Sequence, residues 1–297
     1  MNQSPVSVSG VVVGFDTSPS ALRALDWAAD EATLRGAPLH IAHSWSLAPY
    51  QVPVGERGDI AEDLLKAARQ LVHQAEAHVR ERHPGIEVSS HLLSERAVPG
   101  LVDLTEHAQL LVVGTRGRNR LSSTLLGSVS QGLAAHAVCP LVVLADSQKA
   151  SGPGEGERPG AVVLGAAPGE GAATVEFAFA EAARRGVPLR AIRTWTYPLA
   201  YPGISVPPVE EATRTQEETA DLAEALAVGR KTFPDVQVVT EVKPDEADAA
   251  LVDASAGAAL VVLGAERHQR RFTLPTGPVT HRVLHHAHCP VAVVPYA

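Results

Sequence analysis

The sequence predicts an α/β protein built from two copies of one domain, each a five-stranded parallel sheet with helices on both faces. The first observation is an internal repeat: Gly114 recurs as Gly264, and the His-Ala-x-Cys-Pro segment at 136–140 recurs at 286–290. The second is an alternation of short apolar runs with longer segments of helical spacing. Strands that alternate with helices form a parallel sheet, because each helix carries the chain back across it.

The first copy supplies every element of such a sheet. Its apolar strands are short, do not alternate and are bounded by Gly or Pro, as in strands covered on both faces. They lie at 11–13, 39–42, 110–113 and 141–144, with a looser strand at 87–93. The predicted helices lie at 20–35, 59–82, 98–107 and 128–137. With the strand order 3-2-1-4-5, a ligand binds where the order reverses, between the strands that end at Gly14 and Gly114.

The repeat also divides the chain. Residues 146–160 are rich in Ser, Gly, Pro and charge and have no apolar period to bury. We therefore expect a first domain at 1–145, a linker at 146–160 and a second domain at 161–297.

Composition restricts the partners. A formal net charge of -8 and a pI near 5.9 argue against nucleic acid and anionic membranes, because both attract a basic face. Residues 1–10 lack positive charge and an apolar core, and no apolar run reaches about eighteen residues. A cytoplasmic protein is expected.

The cysteines and histidines do not suggest a metal centre. Cys139 and Cys289 are too few for a four-cysteine site or a disulfide framework, and we expect buried thiols in a reducing compartment. His281 and His285 share a helix face, but no cysteine pair or Glu-x-x-His sequence accompanies them. No metal site is predicted.

A glycine-containing loop after the fourth strand carries the predicted chemistry. From Gly114 the chain reads Gly, two residues, Gly117, nine residues and then Gly127-Ser128. Glycines let a backbone turn tightly and bring its N–H groups close to an anion. A helix that starts at Ser128 adds unpaired N–H donors and roughly half a positive charge, and the hydroxyls of Ser128 and Ser130 can add hydrogen bonds.

We interpret this segment as a phosphate site, made locally cationic by three arginines. The alternative is an ordinary turn followed by a capped helix, with the arginines in solvent. The candidate residues are Gly114, Thr115, Arg116, Gly117, Arg118, Asn119, Arg120, Gly127, Ser128, Val129 and Ser130.

The spacing of this loop resembles the nucleotide loop of ATP-binding universal stress proteins, and all four fixed positions are met. The resemblance covers nearly the whole chain as two copies, with the linker excepted. It implies two Rossmann-like domains of the adenine nucleotide alpha hydrolase type and ATP as the ligand, with or without Mg²⁺. It also implies that edge strands pair, which predicts an intrachain pseudo-dimer and leaves a homodimer open.

In this family an acidic residue after the first strand lies near the nucleoside, and Asp16 follows Gly14 at that place. A carboxylate accepts hydrogen bonds from adenine or ribose but repels phosphate, so the phosphates should lie over the glycine loop. The alternative role of Asp16 is helix capping near Ser18. The resemblance also places the backbone at His43 and Ser44 beside the adenine edge.

The second copy departs from the pattern where a ligand would bind. Ala166 or Ala167 replaces Asp16, Arg267 replaces the second glycine of the loop, and Pro278 replaces the serine of the Gly-Ser pair. The arginine adds a side chain where only glycine lets the backbone approach, and the proline removes an N–H group. We expect ATP to bind the first copy only.

The expected function is that of a nucleotide-dependent regulator in a stress response, and no catalytic residue is predicted. The sequence has no conventional phosphate-loop lysine and no evident base for an attacking water, so at most slow ATP hydrolysis is expected. One alternative is a scaffold that binds protein partners without nucleotide. Another is an adenylating transferase, for which no catalytic groups are found. The stress and the protein partner are not specified.

Overall fold

The computed structural model describes residues 8–45, 57–115, 126–144, 160–169, 171–196, 208–266 and 277–296. The chain divides into two compact units, Met1–Ala150 and Ser151–Ala297, called unit 1 and unit 2 below. The division falls within the predicted linker.

Unit 1 is a five-stranded parallel sheet with the strand order β3-β2-β1-β4-β5. Its strands are β1 (Val11–Gly14), β2 (Leu39–Ser44), β3 (Val88–Leu93), β4 (Leu110–Gly114) and β5 (Leu141–Leu144). Its helices are α1 (Pro19–Arg35), α2 (Arg57–Arg82), α3 (Ala97–Leu104) and α4 (Ser128–His136). The predicted alternation and strand order are confirmed.

Unit 2 repeats this arrangement with the order β8-β7-β6-β9-β10, again parallel. Its strands are β6 (Val162–Gly165), β7 (Leu189–Trp195), β8 (Val238–Pro244), β9 (Leu260–Glu266) and β10 (Val291–Tyr296). Its helices are α5 (Ala172–Arg185), α6 (Pro208–Thr232), α7 (Ala247–Ala254) and α8 (Pro278–His286).

The apolar runs are buried on both faces of each sheet. Consecutive residues of β1, Val11 to Val13, are wholly inaccessible to solvent, as are Leu110 to Val112 of β4. Neighbouring residues of a strand point to opposite faces, so helices cover the sheet on both sides. The repeat also conserves the stop of the first helix: Gly36 and Gly186 adopt left-handed φ values of 60° and 64°, which glycine takes without a Cβ clash.

Both predicted buried thiols are confirmed, since Cys139 and Cys289 are each only 4 % exposed. Burial raises the pKa of the Cys289 thiol to about 12. No helix within the described ranges combines the length and the apolar character that a membrane crossing requires.

Candidate functional site

The predicted crevice of unit 1 lies where β1 and β4 end side by side. The two strands pair in parallel, with Val13 opposite Val112, so Gly14 and Gly114 finish at the same edge of the sheet. At this edge β1 connects to α1 and β4 leads toward α4. An open parallel sheet binds ligands at such a reversal of strand order, so this edge is the candidate site.

The turn between β1 and α1 is held rigidly by local hydrogen bonds. Asp16 Oδ1 accepts from the backbone N–H of Ser18 at 3.0 Å, and Ser18 Oγ caps the helix by accepting from the N–H of Ala21 at 3.1 Å. Between them Thr17 has a φ of 67°, which is unfavourable for a β-branched residue. Ser18 therefore caps α1, while Asp16 supports the turn and keeps its carboxylate partly exposed at the crevice.

Gly114 is required by packing. A Cβ at this position would lie 2.7 Å from the carbonyl carbon of Ser20, so any side chain here would force a shift where the start of α1 crosses β4. The close neighbour of Gly114 is thus the protein's own backbone, and the close approach of an anion to this glycine stays a prediction.

Two hydrogen bonds attach the start of α4 to the end of β4. The N–H of Gly127 donates to the carbonyl of Thr115 at 2.6 Å, and Ser130 Oγ donates to the carbonyl of Gly114 at 2.7 Å. In this arrangement the one proton of the Ser130 hydroxyl is donated to Gly114, and the phosphate bond from that hydroxyl stays a prediction. Ser128, the first residue of α4, is exposed, and Val129 is half-buried.

The start of α4 has no side-chain cap. Gly127 occupies the cap position with extended backbone angles and makes no side-chain bond. The first N–H groups of a helix have no intrahelical acceptor and carry the positive end of its dipole. This helix start therefore presents backbone donors beside the crevice, whereas the start of α1 is closed by Ser18.

Thr115 supplies a buried hydroxyl at the same edge. The residue is 6 % exposed, and its Oγ1 has no hydrogen-bond partner in the part of the chain that the structure describes. An unpaired buried hydroxyl costs about 1–3 kcal/mol, so such groups persist mainly where a further partner binds. The sequence predicted Thr115 as a site residue from its place in the loop, but it could not predict that the hydroxyl is buried.

The remaining predicted residues lie in two places. Ser44 ends β2 and donates from Oγ to the carbonyl of Glu95 at 2.5 Å. His43, which the sequence indicated only through its backbone, is buried, and its Nδ1 lies 2.7 Å from the carbonyl of Phe15. This contact ties the end of β2 to the turn after β1. The loop residues Arg116, Gly117, Arg118, Asn119 and Arg120 lie outside the described residues.

The corresponding edge of unit 2 is built differently. The residue Ala166 follows β6 and is buried. In unit 1 the turn after the corresponding strand carries the carboxylate of Asp16. The start of α5 is at Gly171, where a Cβ would lie 2.5 Å from the ring of Tyr296, so this aromatic ring covers the helix start. Pro278 is the first residue of α8 and has no N–H to offer.

A buried ion pair occupies the place in unit 2 that corresponds to His43. Arg193 and Glu218 are each 5 % exposed, and Arg193 Nε lies 2.5 Å from Glu218 Oε2. Neither residue could be paired from the sequence, because they are brought together only by the packing of α6 on β7. Within the described ranges no group of three or more His, Cys, Asp or Glu side chains is arranged to hold a metal ion.

Comparison with known proteins gives one consistent family. The model of the universal stress protein family matches residues 9–145 and 162–295. Universal stress protein Rv2623 of Mycobacterium tuberculosis is 35% identical, with 96% of this chain and 95% of that protein covered. Universal stress protein Rv2005c of the same species is 33% identical, covering 97% and 98%. A universal stress protein of Archaeoglobus fulgidus matches in structure with a TM-score of 0.64 at 16% identity, covering 97% and 98%.

Proposed function

Because the chain belongs to the universal stress protein family, we propose that it is an ATP-binding regulator whose nucleotide site is the crevice of unit 1. The observation that carries the proposal is the start of α4. Hydrogen bonds from Gly127 and Ser130 fix it against the end of β4, its backbone donors have no side-chain cap, and the buried Oγ1 of Thr115 lies beside it. An anion at a helix start is stabilised by these donors and by the helix dipole.

The charges at the crevice orient the nucleotide. Asp16 is negative and lies at the end of β1, so it repels phosphate and accepts hydrogen bonds from ribose or adenine. The phosphates then lie toward α4 and the arginine-containing loop, with or without Mg²⁺. His43 fixes the backbone between β1 and β2, which is where the family resemblance places the adenine edge.

The proposal of regulation rather than catalysis is supported by the side chains that the structure describes at this edge. The described residues around Gly114 and Gly127 include hydroxyls and one carboxylate, but no lysine and no base placed for an attacking water. ATP would therefore persist long enough to act as a signal, with at most slow hydrolysis. A cytoplasmic location and an intrachain pseudo-dimer remain part of this proposal.

Mass spectrometry of nucleotide released from the denatured protein tests the ligand. We expect an adenine nucleotide in the preparation, and micromolar rebinding of ATP to the emptied protein. A protein that neither retains nor rebinds adenine nucleotide would favour the alternative of a nucleotide-independent scaffold. That alternative gains support from unit 2, where Tyr296 covers the start of α5 and Pro278 begins α8.

Two variants test the orientation. Asp16→Ala should weaken ATP and AMP by similar factors, about 1–3 kcal/mol for one hydrogen bond to a charged group. Ser128→Ala should weaken ATP more than AMP, because AMP lacks the distal phosphates. A variant at Asp16 that weakens ATP and spares AMP would show that the nucleotide lies in the opposite direction.

A further inference from the structure

Two histidines of unit 1 meet on neighbouring strands, in a part of the sheet separate from the crevice. His40 is the second residue of β2, and His91 lies on β3 opposite Ala42, so the two are diagonal neighbours on one face. His40 Nδ1 lies 3.2 Å from His91 Nε2 and 2.9 Å from Ser89 Oγ. Both rings are partly exposed, so solvent reaches them.

A contact with the backbone determines which ring nitrogen of His40 carries the proton and which has a free lone pair. His40 Nε2 lies 2.8 Å from the carbonyl oxygen of Ser9, which can only accept a hydrogen bond. In the neutral ring the proton is therefore on Nε2, and Nδ1 directs its lone pair toward His91 and Ser89. Metal-binding histidines are commonly held in this way, with the second ring nitrogen donating to a carbonyl.

Unit 2 shows that the fold does not need histidines at these positions. The corresponding residues, 150 positions later, are Arg190 and Glu241, and they lie in the same strand register. Arg190 Nε lies 2.5 Å from Glu241 Oε1, and Nη2 lies 2.9 Å from Oε2. An ion pair thus joins the two strands of unit 2. At the corresponding positions unit 1 has the imidazole nitrogens of two histidines, beside the hydroxyl of Ser89.

We propose that His40 Nδ1 and His91 Nε2 bind one Zn²⁺ ion, with Ser89 Oγ and water completing its coordination; the proton that His91 Nε2 donates to His40 Nδ1 then moves to His91 Nδ1, leaving both facing nitrogens with lone pairs. Zinc bonds to histidine nitrogen are about 2.0–2.1 Å long, so two nitrogens 3.2 Å apart subtend about 100–106° at the ion, near the tetrahedral angle of about 109°. Burial, and then the neighbouring His40, lower the pKa of His91, which favours the neutral ring that a metal requires.

The expected site is open and exchangeable rather than structural. The described residues provide two histidines and one hydroxyl here, and no third His, Cys, Asp or Glu ligand. A bound ion would join β2 to β3 across the pair, as the ion pair joins β7 to β8 in unit 2. Zinc would therefore stabilise unit 1 without entering the nucleotide crevice.

Zinc titration of tag-free, chelator-stripped full-length protein against a chromophoric competitor tests the site. We expect about one Zn²⁺ per chain at micromolar concentration, with at least tenfold weaker binding in His40→Gln and in His91→Gln. The matched control is His281→Gln, which removes one ring of another histidine pair, His281 and His285, whose ring centroids are 4.4 Å apart on α8. This control should bind zinc as the unchanged protein does.

A double variant separates loss of the ligands from loss of the fold. His40→Arg combined with His91→Glu copies the ion pair of unit 2, and we expect it to fold with an unchanged circular dichroism spectrum. Zinc should raise the melting temperature of the unchanged protein and leave that of the double variant where it is. The proposal is overturned if the unchanged protein binds no zinc, or if binding survives His40→Gln and His91→Gln or is lost in His281→Gln; the pair would then be only a hydrogen-bonded one.

Discussion

Unit 1 and unit 2 bury the same apolar strands but complete the carboxyl edge of the sheet with different chemistry. In unit 1 Ser18 caps α1, and the start of α4 is left with open donors. In unit 2 the ring of Tyr296 lies beside the start of α5, and α8 also has no side-chain cap but begins with Pro278, which has no N–H. Arg193 is paired with Glu218 at the position that corresponds to His43. Packing constrains the core of both copies, whereas polar groups at the edge need only find partners, so the chemistry of the edge can differ between the copies while the fold is kept.

The largest expected difference concerns the ion pair that only unit 2 has. Glu218→Ala leaves Arg193 buried without its closest carboxylate, which should lower the free energy of unfolding by about 3–5 kcal/mol. The control is Asp221→Ala, because Asp221 lies 3.5 Å from Arg193 but is 64% exposed; its loss should be about 1 kcal/mol or less. Urea unfolding of the full chain measures both. Equal losses in the two variants would show that burial does not distinguish these contacts.

The second test concerns the glycine where β4 ends, a residue that recurs as Gly264 in unit 2. Gly114→Ala places a Cβ 2.7 Å from the backbone of Ser20, and we expect a loss of about 1–3 kcal/mol because α1 must shift. Gly14→Ala is the control, since its Cβ would meet only the side-chain ends of Val113 and Leu101, at 3.1 and 3.3 Å. Thermal unfolding should rank Gly14→Ala as the milder change; the reverse order would contradict the packing role of Gly114.

The third difference concerns the two helix starts of unit 1. Ser18→Ala removes the cap of α1 and should lower stability by about 1 kcal/mol, whether or not nucleotide is present. Ser128→Ala, at the exposed first position of α4, should change stability by about 0.5 kcal/mol or less and act on ATP affinity instead. Chemical unfolding and ATP titration of each variant separate the two effects. A Ser128 variant that loses stability but binds ATP normally would argue for capping alone.

The smallest expected effect concerns the cysteine that each unit keeps at the same place. Because burial raises the pKa of the Cys289 thiol to about 12, very little of the reactive thiolate is present at pH 8. In a Cys139→Ala background, native protein should react with a disulfide reagent only as fast as it unfolds. Rapid stoichiometric labelling at pH 8, followed by no further labelling in denaturant, would show that the thiol is accessible.

The apolar runs predicted the strands and their order because each run is buried on both faces, as Val11 to Val13 show. The sequence also placed Gly14 and Gly114 at the ends of adjacent strands, which the strand pairing confirms. It could not predict which partners individual polar side chains would contact. Ser130 donates to Gly114, and His43 contacts Phe15, only because the turns bring distant segments together.

The same limit applies to pairs across strands and helices. His40 and His91 are 51 residues apart, and Arg193 and Glu218 are 25 apart. Their contacts depend on strand register and on the position of α6 on β7, which no local pattern encodes. The left-handed φ of Thr17 is also invisible in the sequence, because a threonine does not signal a positive φ as glycine does.

Calorimetric titration of ATP into nucleotide-free full-length protein tests the central claim, that one of the two similar units binds nucleotide. The stoichiometry should be close to one ATP per chain. Gly117→Arg, which copies Arg267 of the second copy into the first, should abolish the binding heat while the circular dichroism spectrum stays unchanged. A stoichiometry close to two, or unchanged ATP affinity in a folded Gly117→Arg variant, would contradict the assignment of the site to the first unit's loop.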